Sequence, residues 1–333
     1  MNMRPRILVT NWVHEATLQR LSLLGDVDAN DSRTPWPRDE VLRRAEKADA
    51  ILAFMTDCID APFVAGCKRL RVVACALKGY DNFDMDACSA AGIWVSIVPD
   101  LLTEPTAELA VGLAIGLARN IRDGDTLVRA GQFDGWRPVL YGTGLDGSTV
   151  SIVGMGRVGS AVAQRLSGFG CRILGIDPAA EMPAGVAGES LDTALATSDF
   201  IILCAPLTPD SRHQIGTDAL ARIRPDALLI NVGRGSVVDE RAVAAALEAG
   251  TLGGYAADVF EMEDWALPDR PKAIDARLRA HPRTLFTPHL GSAVVRVRQA
   301  IEMRAVDNIA DVLAGRPPRD AINAPDGVMA KAG

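Results

Sequence analysis

Histidines are the side chains best suited to move a proton near neutral pH, because imidazole titrates in that range. The chain has four, at positions 14, 213, 281 and 289. His289 differs from the others, since it ends the apolar stretch TLFTPH and meets the small-residue turn LGSA. Ligands of open parallel sheets bind at the carboxyl ends of the strands, so we predict that His289 is the catalytic acid or base. A purely structural histidine is the alternative.

Arg234 lies between two glycines in NVGRGSVVDE, directly after another apolar stretch. The glycines leave space around the guanidinium, whose fork of N–H groups suits bidentate binding of an oxyanion. We therefore predict that Arg234 binds an anionic substrate. A surface arginine in a loop is the alternative.

The stretch GYAADVFEMEDW carries four acids, Asp258, Glu261, Glu263 and Asp264. A carboxylate from this loop could hold the second ring nitrogen of His289, which fixes the tautomer and raises its basicity. Spacing alone does not select one of the four. We expect the remaining acids to form a solvated loop.

Lys78 follows six apolar residues, 72–77, and is followed at once by Gly79. One interpretation is a cation held over a pocket for an anion. The other is a solvated charge at the end of a strand.

Gly154, Gly156 and Gly159 have the spacing G-x-G-x-x-G between an apolar strand and an amphipathic helix, which is the context of a dinucleotide-binding turn. Gly154 permits the tight turn, Gly156 lets the backbone approach the pyrophosphate, and Gly159 lets helix and strand pack closely. The phosphates would bind at the helix N-terminus, where Arg157 either contacts a phosphate or is solvated.

Asp177 ends the next predicted strand, CRILGID. A carboxylate at this position accepts hydrogen bonds from the adenosine ribose hydroxyls and repels a 2′-phosphate. The sequence therefore predicts NAD rather than NADP as the cofactor.

Strands that alternate with helices predict parallel α/β sheets. In addition to the two strands of the glycine motif, predicted strands lie at 6–10, 50–55, 70–77, 93–98, 199–207, 227–233, 254–260 and 284–289. Residues 103–131 predict one long apolar helix, with Thr103 or Thr106 as its N-cap and Glu108 in its first turn. The last helix, within 292–315, ends at Gly and Pro-Pro, and we expect it to pack on the first domain.

The chain has 333 residues, which favours two domains, and a net charge of −7, which argues against a nucleic-acid partner. A small anionic substrate remains compatible with that charge. The six cysteines form no C-x-x-C pair, and the N-terminal residues have no signal-peptide pattern, so we expect a cytoplasmic protein. No apolar stretch is long enough to span a membrane, and no metal-ligand spacing occurs.

The order of GMGRVG, GRGSVVDE, DVFEME and PHLGSA resembles the D-2-hydroxyacid dehydrogenase family over nearly the whole chain. The resemblance implies that Arg234 is the substrate arginine, Glu263 the supporting glutamate and His289 the acid or base. It also implies two Rossmann-like doubly wound parallel-sheet domains with a cleft between them. Residues 1–104 plus 291–333 would form the substrate domain, and 105–290 the NAD-binding domain. The family is typically homodimeric, with the apolar helix after Thr103 and the following Trp/Tyr loop as the dimer surface.

Within the family, stretches such as LAFMTD, CALKGYDNFDMDAC and LFTPHLGSAV resemble the phosphonate dehydrogenases, which oxidise phosphite with NAD. This closer resemblance implies a substrate site formed by Met55, Lys78, Gly79, Leu102, Arg234, His289 and Ser292. It places Trp136, Tyr141 and Arg298 at or near that site. It implies a cofactor site formed by Lys78, Thr106, Gly154, Gly156, Arg157, Val158, Gly159, Asp177, Pro206, Leu207, Val232, Gly233, Arg234, Asp258, His289 and Gly291.

At two positions this chain differs from the best-known phosphonate dehydrogenases. Asp177 stands where they have a glutamate, which keeps the chemistry with a shorter reach. Gly233 stands where they have a bulkier residue, as in the broader family.

We therefore expect phosphite, which is largely a dianion at neutral pH, to bind to Lys78 and Arg234 near the nicotinamide. His289, supported by Glu263, would take a proton from an attacking water while hydride leaves for NAD⁺. One alternative is a dehydrogenase for glycerate, lactate or a similar 2-hydroxyacid. Another is a non-enzymatic protein that senses NAD and serves as a scaffold.

Overall fold

The computed structural model describes residues 4–325 and divides them into two compact units. The first unit contains residues 4–102, 265–268 and 293–325. The second contains residues 103–264 and 269–292.

The elements before the second unit are β1 (Arg6–Val9), α1 (Glu15–Leu24), β2 (Asp26–Ala29), α2 (Arg38–Ala45), β3 (Ala50–Ala53), α3 (Ala61–Gly66), β4 (Val72–Cys75), α4 (Met85–Ala90) and β5 (Trp94–Ser96). The second unit contains α5 (Thr103–Ala118), α6 (Ile121–Arg129), β6 (Thr149–Val153), α7 (Arg157–Leu166), β7 (Arg172–Ile176), β8 (Val186–Gly188), α8 (Leu191–Thr197), β9 (Phe200–Leu203), α9 (Thr217–Leu220), β10 (Leu228–Asn231), α10 (Glu240–Glu248), β11 (Gly254–Ala257), α11 (Ala276–Ala280) and β12 (Thr284–Phe286). The last helix, α12 (Val295–Leu313), belongs to the first unit.

The first unit is built on a five-stranded parallel sheet with the strand order β2-β1-β3-β4-β5. Its central strands β3 and β4 are fully buried, as expected for a parallel sheet covered on both faces. Helix α12 packs against β3, β4, β5 and α1, which confirms that the last helix returns to the first domain.

The second unit is built on a seven-stranded parallel sheet with the order β12-β11-β10-β9-β6-β7-β8. Apolar clusters cover both faces, one around Tyr255 and Leu229 and the other around Ile152 and Ala114. Two parallel sheets, each with helices on its faces, confirm the predicted α/β class.

The single helix predicted over 103–131 is wrong, because the chain breaks between α5 and α6. Asn120 adopts a left-handed conformation there, with φ 52°, and its side-chain amide donates to the carbonyl oxygens of Leu140 and Tyr141. The predicted N-caps are also wrong. Thr103 is the first helical residue and Thr106 lies inside the helix, so the acid of the first turn is Glu104.

Strands β2 and β8 were not predicted from the sequence. Both are edge strands of three or four residues, and their sequences, DVDA and VAG, lack a continuous apolar stretch. None of the helices between residues 4 and 325 has the length and apolar character needed to cross a membrane.

Candidate active site

Several of the predicted site residues lie at the carboxyl edge of the seven-stranded sheet. Four of the singled-out residues follow strand ends: Gly154 after β6, Arg234 after β10, Asp258 after β11 and His289 after β12. The pairing register of these strands and β9 aligns their last residues, Val153, Leu203, Asn231, Ala257 and Phe286. Strand register therefore places these four positions along one edge, where ligands of parallel α/β sheets bind.

His289 is held by its ring and by its backbone. Its Nδ1 lies 2.6 Å from Oε2 of Glu263, and the other oxygen of Glu263 accepts the N–H of Phe260 at 2.9 Å. The backbone of His289 is left-handed, with φ 56°, a strained conformation for a non-glycine residue. Because the carboxylate engages Nδ1, the proton belongs on that nitrogen and Nε2 is left to exchange protons with a ligand.

Asp258 organises the turn that presents His289. Its carboxylate accepts the N–H groups of Leu290 and Gly291 at 2.6 and 2.8 Å and the hydroxyl of Thr287 at 2.5 Å. The backbone N–H of His289 donates to the carbonyl oxygen of Asp258 at 2.9 Å. Burial raises the pKa of Asp258, and the hydrogen bonds from Thr287 and the turn oppose that rise. No pattern in the sequence indicated this role.

The expectation that the other acids of this loop are solvated is wrong. Asp258, Glu261 and Asp264 are all buried, with 2%, 7% and 3% of their surface exposed. Buried carboxylates need partners, and each of the three accepts backbone N–H groups or faces a histidine.

Arg234 lies three residues after the end of β10, in the turn predicted to bind an oxyanion. Its Nη1 donates to the carbonyl oxygen of Gly233 at 2.9 Å, and its own carbonyl oxygen accepts the side-chain amide of Asn231 at 2.9 Å. Asn231 also accepts the N–H of Gly233 at 3.1 Å. The amide of Asn231 thus fixes the backbone from which the guanidinium extends.

The glycine turn after β6 has the geometry that a dinucleotide needs. Gly154 has φ 90°, and a Cβ on it would lie 2.7 Å from the backbone N of Ala205. A Cβ on Gly159 would lie 2.0 Å from the carbonyl oxygen of Gly154, whereas a Cβ on Gly156 would meet open space. Two glycines therefore allow tight packing, and the third presents bare backbone at the start of α7, whose N-cap has no side-chain hydrogen bond. This arrangement fits a pyrophosphate.

Asp177 follows β7 and lies beside the glycine turn. One carboxylate oxygen accepts the N–H groups of Ala179 and Ala180 at 2.9 and 3.1 Å, and the other accepts the N–H of Met155 at 2.9 Å. The hydrogen bond from Ala179, together with those from Met155 and Ala180, lowers the pKa of Asp177. A negative charge is therefore held where an adenosine ribose is expected.

The other predicted cofactor residues of the second unit lie around the same edge. Val232 and Gly233 follow β10, and a Cβ on Gly233 would lie 2.5 Å from the carbonyl oxygen of Ala205. Thr106 on α5 lies beside Gly291, since its Oγ1 would be 3.0 Å from a Cβ there. The remaining ones are the exposed Pro206 and Arg157, and the partly buried Leu207 and Val158.

The predicted substrate residues of the first unit follow the ends of its central strands. Met55 comes two residues after β3 and Lys78 three residues after β4, and Ala53 and Cys75 at these strand ends are paired in register. Arg298 on α12 donates to the carbonyl oxygen of Ala76 at 3.2 Å, with its guanidinium carbon 5.7 Å from the ring centre of Phe54. Register and this hydrogen bond place two cations near the end of β4.

For five other predicted positions, the assigned roles remain predictions. Gly79 and Leu102 are partly buried in the first unit, and Ser292 is buried at the end of the second. Trp136 and Tyr141 are largely exposed, at 81% and 76%, on the loop between α6 and β6.

Residues 111–291 match the family described as D-isomer specific 2-hydroxyacid dehydrogenase, NAD binding domain. The chain belongs to this dehydrogenase family. A glyoxylate reductase of Aeropyrum pernix is 36% identical over 329 residues, which cover 96% of each chain.

The solved structures of similar chains agree with this assignment to the 2-hydroxyacid dehydrogenases. A crystal structure of the TT0316 protein from Thermus thermophilus has a TM-score of 0.87 and 34% identity, and covers 95% of this chain and 99% of that one. An NADPH-dependent glyoxylate/hydroxypyruvate reductase from Sinorhizobium meliloti, solved with NADP and malonate, has a TM-score of 0.84 and 30% identity over 97% and 98% of the two chains. The second unit is therefore the NAD-binding domain of a 2-hydroxyacid dehydrogenase, and the chain belongs to an oxidoreductase family.

The other three histidines of this dehydrogenase each have a partner other than Glu263. Nδ1 of His14 lies 3.0 Å from Glu302, Nε2 of His213 lies 2.5 Å from Glu261, and Nδ1 of His281 accepts the N–H of Arg283 at 3.1 Å. Sequence reasoning did not find the His213–Glu261 contact, because it joins two loops that are 48 residues apart. Among the described residues, no group of His, Cys, Asp or Glu is arranged to hold a metal ion.

Proposed function

We propose that this chain oxidises phosphite to phosphate with NAD⁺ as the hydride acceptor. The main support for a catalytic role of His289 is the 2.6 Å contact between its Nδ1 and Oε2 of Glu263. A ring nitrogen held by a carboxylate leaves the other nitrogen oriented to exchange a proton. Arg234 follows β10, which is separated from β12 by one strand in the same sheet, and it would supply the positive charge for an oxyanion.

The choice of phosphite rests on positive charge and on the stretches that resemble phosphonate dehydrogenases. A dianion gains more than a monocarboxylate from a second cation. In the first unit, Lys78 follows β4 and Arg298 donates to Ala76 of the same segment. The resemblance to phosphonate dehydrogenases assigns Lys78 to the same substrate as Arg234, and this second cation would suit a dianion.

In the proposed reaction, Nε2 of His289 accepts a proton from water as the water oxygen forms the new P–O bond. The P–H bond breaks with its electron pair, and bound NAD⁺ supplies the acceptor for that hydride. Glu263 stabilises the imidazolium through the Nδ1–H bond. Arg234 and Lys78 stabilise the charge on the phosphoryl oxygens.

A second candidate is the interconversion of a 2-oxoacid and a 2-hydroxyacid. The names of the relatives favour it more directly than phosphite, since the Aeropyrum pernix protein is called a glyoxylate reductase. The same side chains would serve this reaction. Arg234 would bind the substrate carboxylate, and His289 would exchange the proton of the carbonyl or hydroxyl oxygen.

We also propose a cytoplasmic homodimer that prefers NAD to NADP. Support for the dimer comes from large apolar side chains exposed on α6 and the loop after it: Ile121, Val128, Phe133, Trp136 and Tyr141. The six cysteines are thiols that form no disulfide, which fits a reducing compartment. The carboxylate of Asp177 beside the glycine turn supports the cofactor preference.

The deciding experiment measures turnover by the purified protein with phosphite and NAD⁺, with D-glycerate or D-lactate and NAD⁺, and with glyoxylate and NADH. Turnover of phosphite with little turnover of the acids supports the proposal. Turnover of an acid but not phosphite establishes the second candidate. NAD binding without any turnover would instead favour the scaffold alternative.

A further inference from the structure

The turn that carries Glu263 depends on side chains from outside it. It is a 3-10 turn of three residues, Glu261–Glu263, too short to hold its position by its own hydrogen bonds. Oε1 of Glu240 accepts the backbone N–H of Glu261 at 2.9 Å, and Nε2 of His213 lies 2.5 Å from Oε1 of Glu261. Just after the turn, Asp264 accepts the N–H of Ser236 at 2.7 Å.

Glu240 is the most deeply placed of these supports, with 2% of its surface exposed in the first turn of α10. The proposed reaction does not use it. A carboxylate is buried at a high cost in free energy unless it makes compensating contacts. Its contact with the N–H of Glu261 links it directly to the turn that holds His289.

Several titratable groups surround Glu240. Glu261 faces it from the turn, Asp275 from the residue before α11, and the Tyr255 phenol from β11, while His213 engages Glu261. Burial raises the pKa of Glu240 to about 7, the N–H groups of Glu261 and Asp275 lower it, and their carboxylates raise it. Its protonated form accepts the N–H of Glu261 without placing a second negative charge beside that residue.

We propose that Glu240 is a positioning residue for the Glu263–His289 pair, acting through the backbone N–H of Glu261. The inference rests on the proposed roles of Glu263 and His289. When Glu240 is protonated, the turn packs without charge repulsion. When it ionises, a second buried carboxylate faces Glu261 and disfavours the packed turn.

The test compares Glu240→Gln, which keeps an acceptor for the N–H of Glu261, with Glu240→Ala, which removes it. Glu248→Gln, an exposed glutamate at the other end of α10, is the matched control. Turnover is measured with whichever substrate of the panel is active, together with NAD affinity and the downfield Nδ1–H proton resonance of His289.

We expect Glu240→Ala to lower kcat about tenfold, because small misplacements of a catalytic group have large effects on rate. NAD affinity should stay within about twofold, since the glycine turn is untouched. The His289 Nδ1–H resonance should weaken or vanish. Glu240→Gln should restore most of kcat and the resonance, and should move the alkaline limb of the pH–rate profile to higher pH.

Unchanged kcat and an unchanged resonance in Glu240→Ala would overturn the proposal. So would equal losses in the Gln and Ala variants, because the Gln variant keeps the acceptor. Where Glu240→Ala does not fold, Glu240→Asp takes its place, since its shorter side chain withdraws the acceptor and should give the same losses. If no substrate is turned over, the proposed function fails, and the resonance alone decides the role of Glu240.

Discussion

Gly235 lies directly against the peptide bond that joins Phe260 to Glu261. A Cβ on Gly235 would lie 1.9 Å from the carbonyl carbon of Phe260 and 2.2 Å from the nitrogen of Glu261. Gly235 follows Arg234, and the peptide it contacts begins the turn that carries Glu263. This backbone contact therefore fixes the spacing between the turn of Arg234 and the turn that carries Glu263.

Replacing Gly235 with alanine should push these two turns apart. We expect kcat/KM to fall at least about tenfold, because the misplaced Glu263 no longer orients His289. The free energy of unfolding should fall by about 1–3 kcal/mol, as is usual for overpacking. Steady-state kinetics and urea denaturation measure the two effects. Gly168→Ala, at an exposed glycine with open space for a Cβ, is the control and should change neither. Wild-type kinetics in Gly235→Ala would contradict the coupling.

His289 and Glu263 should behave as one unit in catalysis. We expect His289→Ala to lower kcat about 10²-fold or more and Glu263→Gln somewhat less, both without loss of NAD binding. The double variant should lose little more than His289→Ala, because Glu263 acts only through the imidazole. His281→Gln serves as the control. Additive losses in the double variant would show that Glu263 has an independent role.

The fold was predictable wherever burial leaves a continuous apolar stretch. The strands at 50–55 and 70–77 were found because both of their faces are covered. Strand β2 was not found. At the sheet edge its exposed aspartates alternate with half-buried apolar residues, so its DVDA sequence has no continuous apolar stretch. The helix break at Asn120 depends on hydrogen bonds to a loop twenty residues away, which local pattern does not report.

For the candidate site, the sequence predicted which residue types follow the strand ends. It did not predict the contacts between their side chains. Strand-end position selected Arg234 and His289. The choice of Glu263 among four acids came from resemblance, because the contact depends on a three-residue turn whose shape is set by Gly235 and Glu240. These supports come from other segments of the chain, so spacing in sequence contains no signal for them.

Lys78 distinguishes the two candidate substrates. If phosphite is the substrate, Lys78→Met should raise the KM for phosphite by about 10–100-fold, because a dianion loses one of its cations in a partly desolvated site. NAD affinity should change much less. Lys78→Arg should recover part of the loss, and Lys68→Met, at an exposed lysine, is the control. Unchanged phosphite kinetics in Lys78→Met would make Lys78 a solvated charge.

Asp177 should set the cofactor preference. Replacing it with alanine removes the carboxylate that is held by the N–H groups of Met155 and Ala179. We expect the ratio of kcat/KM for NAD over NADP to fall by about tenfold or more, since the ribose partner and the repulsion of a 2′-phosphate are both lost. Asp226→Ala, at an exposed aspartate before β10, controls for net charge. An unchanged ratio would place the preference elsewhere.

Asp57 should make the stability of the chain depend on pH. It is buried beside Thr10, whose hydroxyl donates to its carboxylate at 2.6 Å, and burial raises its pKa to about 6. An aspartate in the unfolded chain titrates near pH 4, so between about pH 4 and 6 the folded chain binds more protons than the unfolded one. The free energy of unfolding should therefore fall as pH rises through this window.

The size of this effect follows from the two pKa values. A pKa difference of about 2 units corresponds to about 3 kcal/mol, present in full below pH 4 and lost above pH 6. Asp57→Asn keeps an acceptor for Thr10 and Phe54 but cannot ionise. Urea denaturation at several pH values should show that the Asn variant gains stability relative to the wild type as pH rises from about 4 to 7. Parallel pH profiles for the two proteins would mean that Asp57 titrates near its ordinary value, despite its burial.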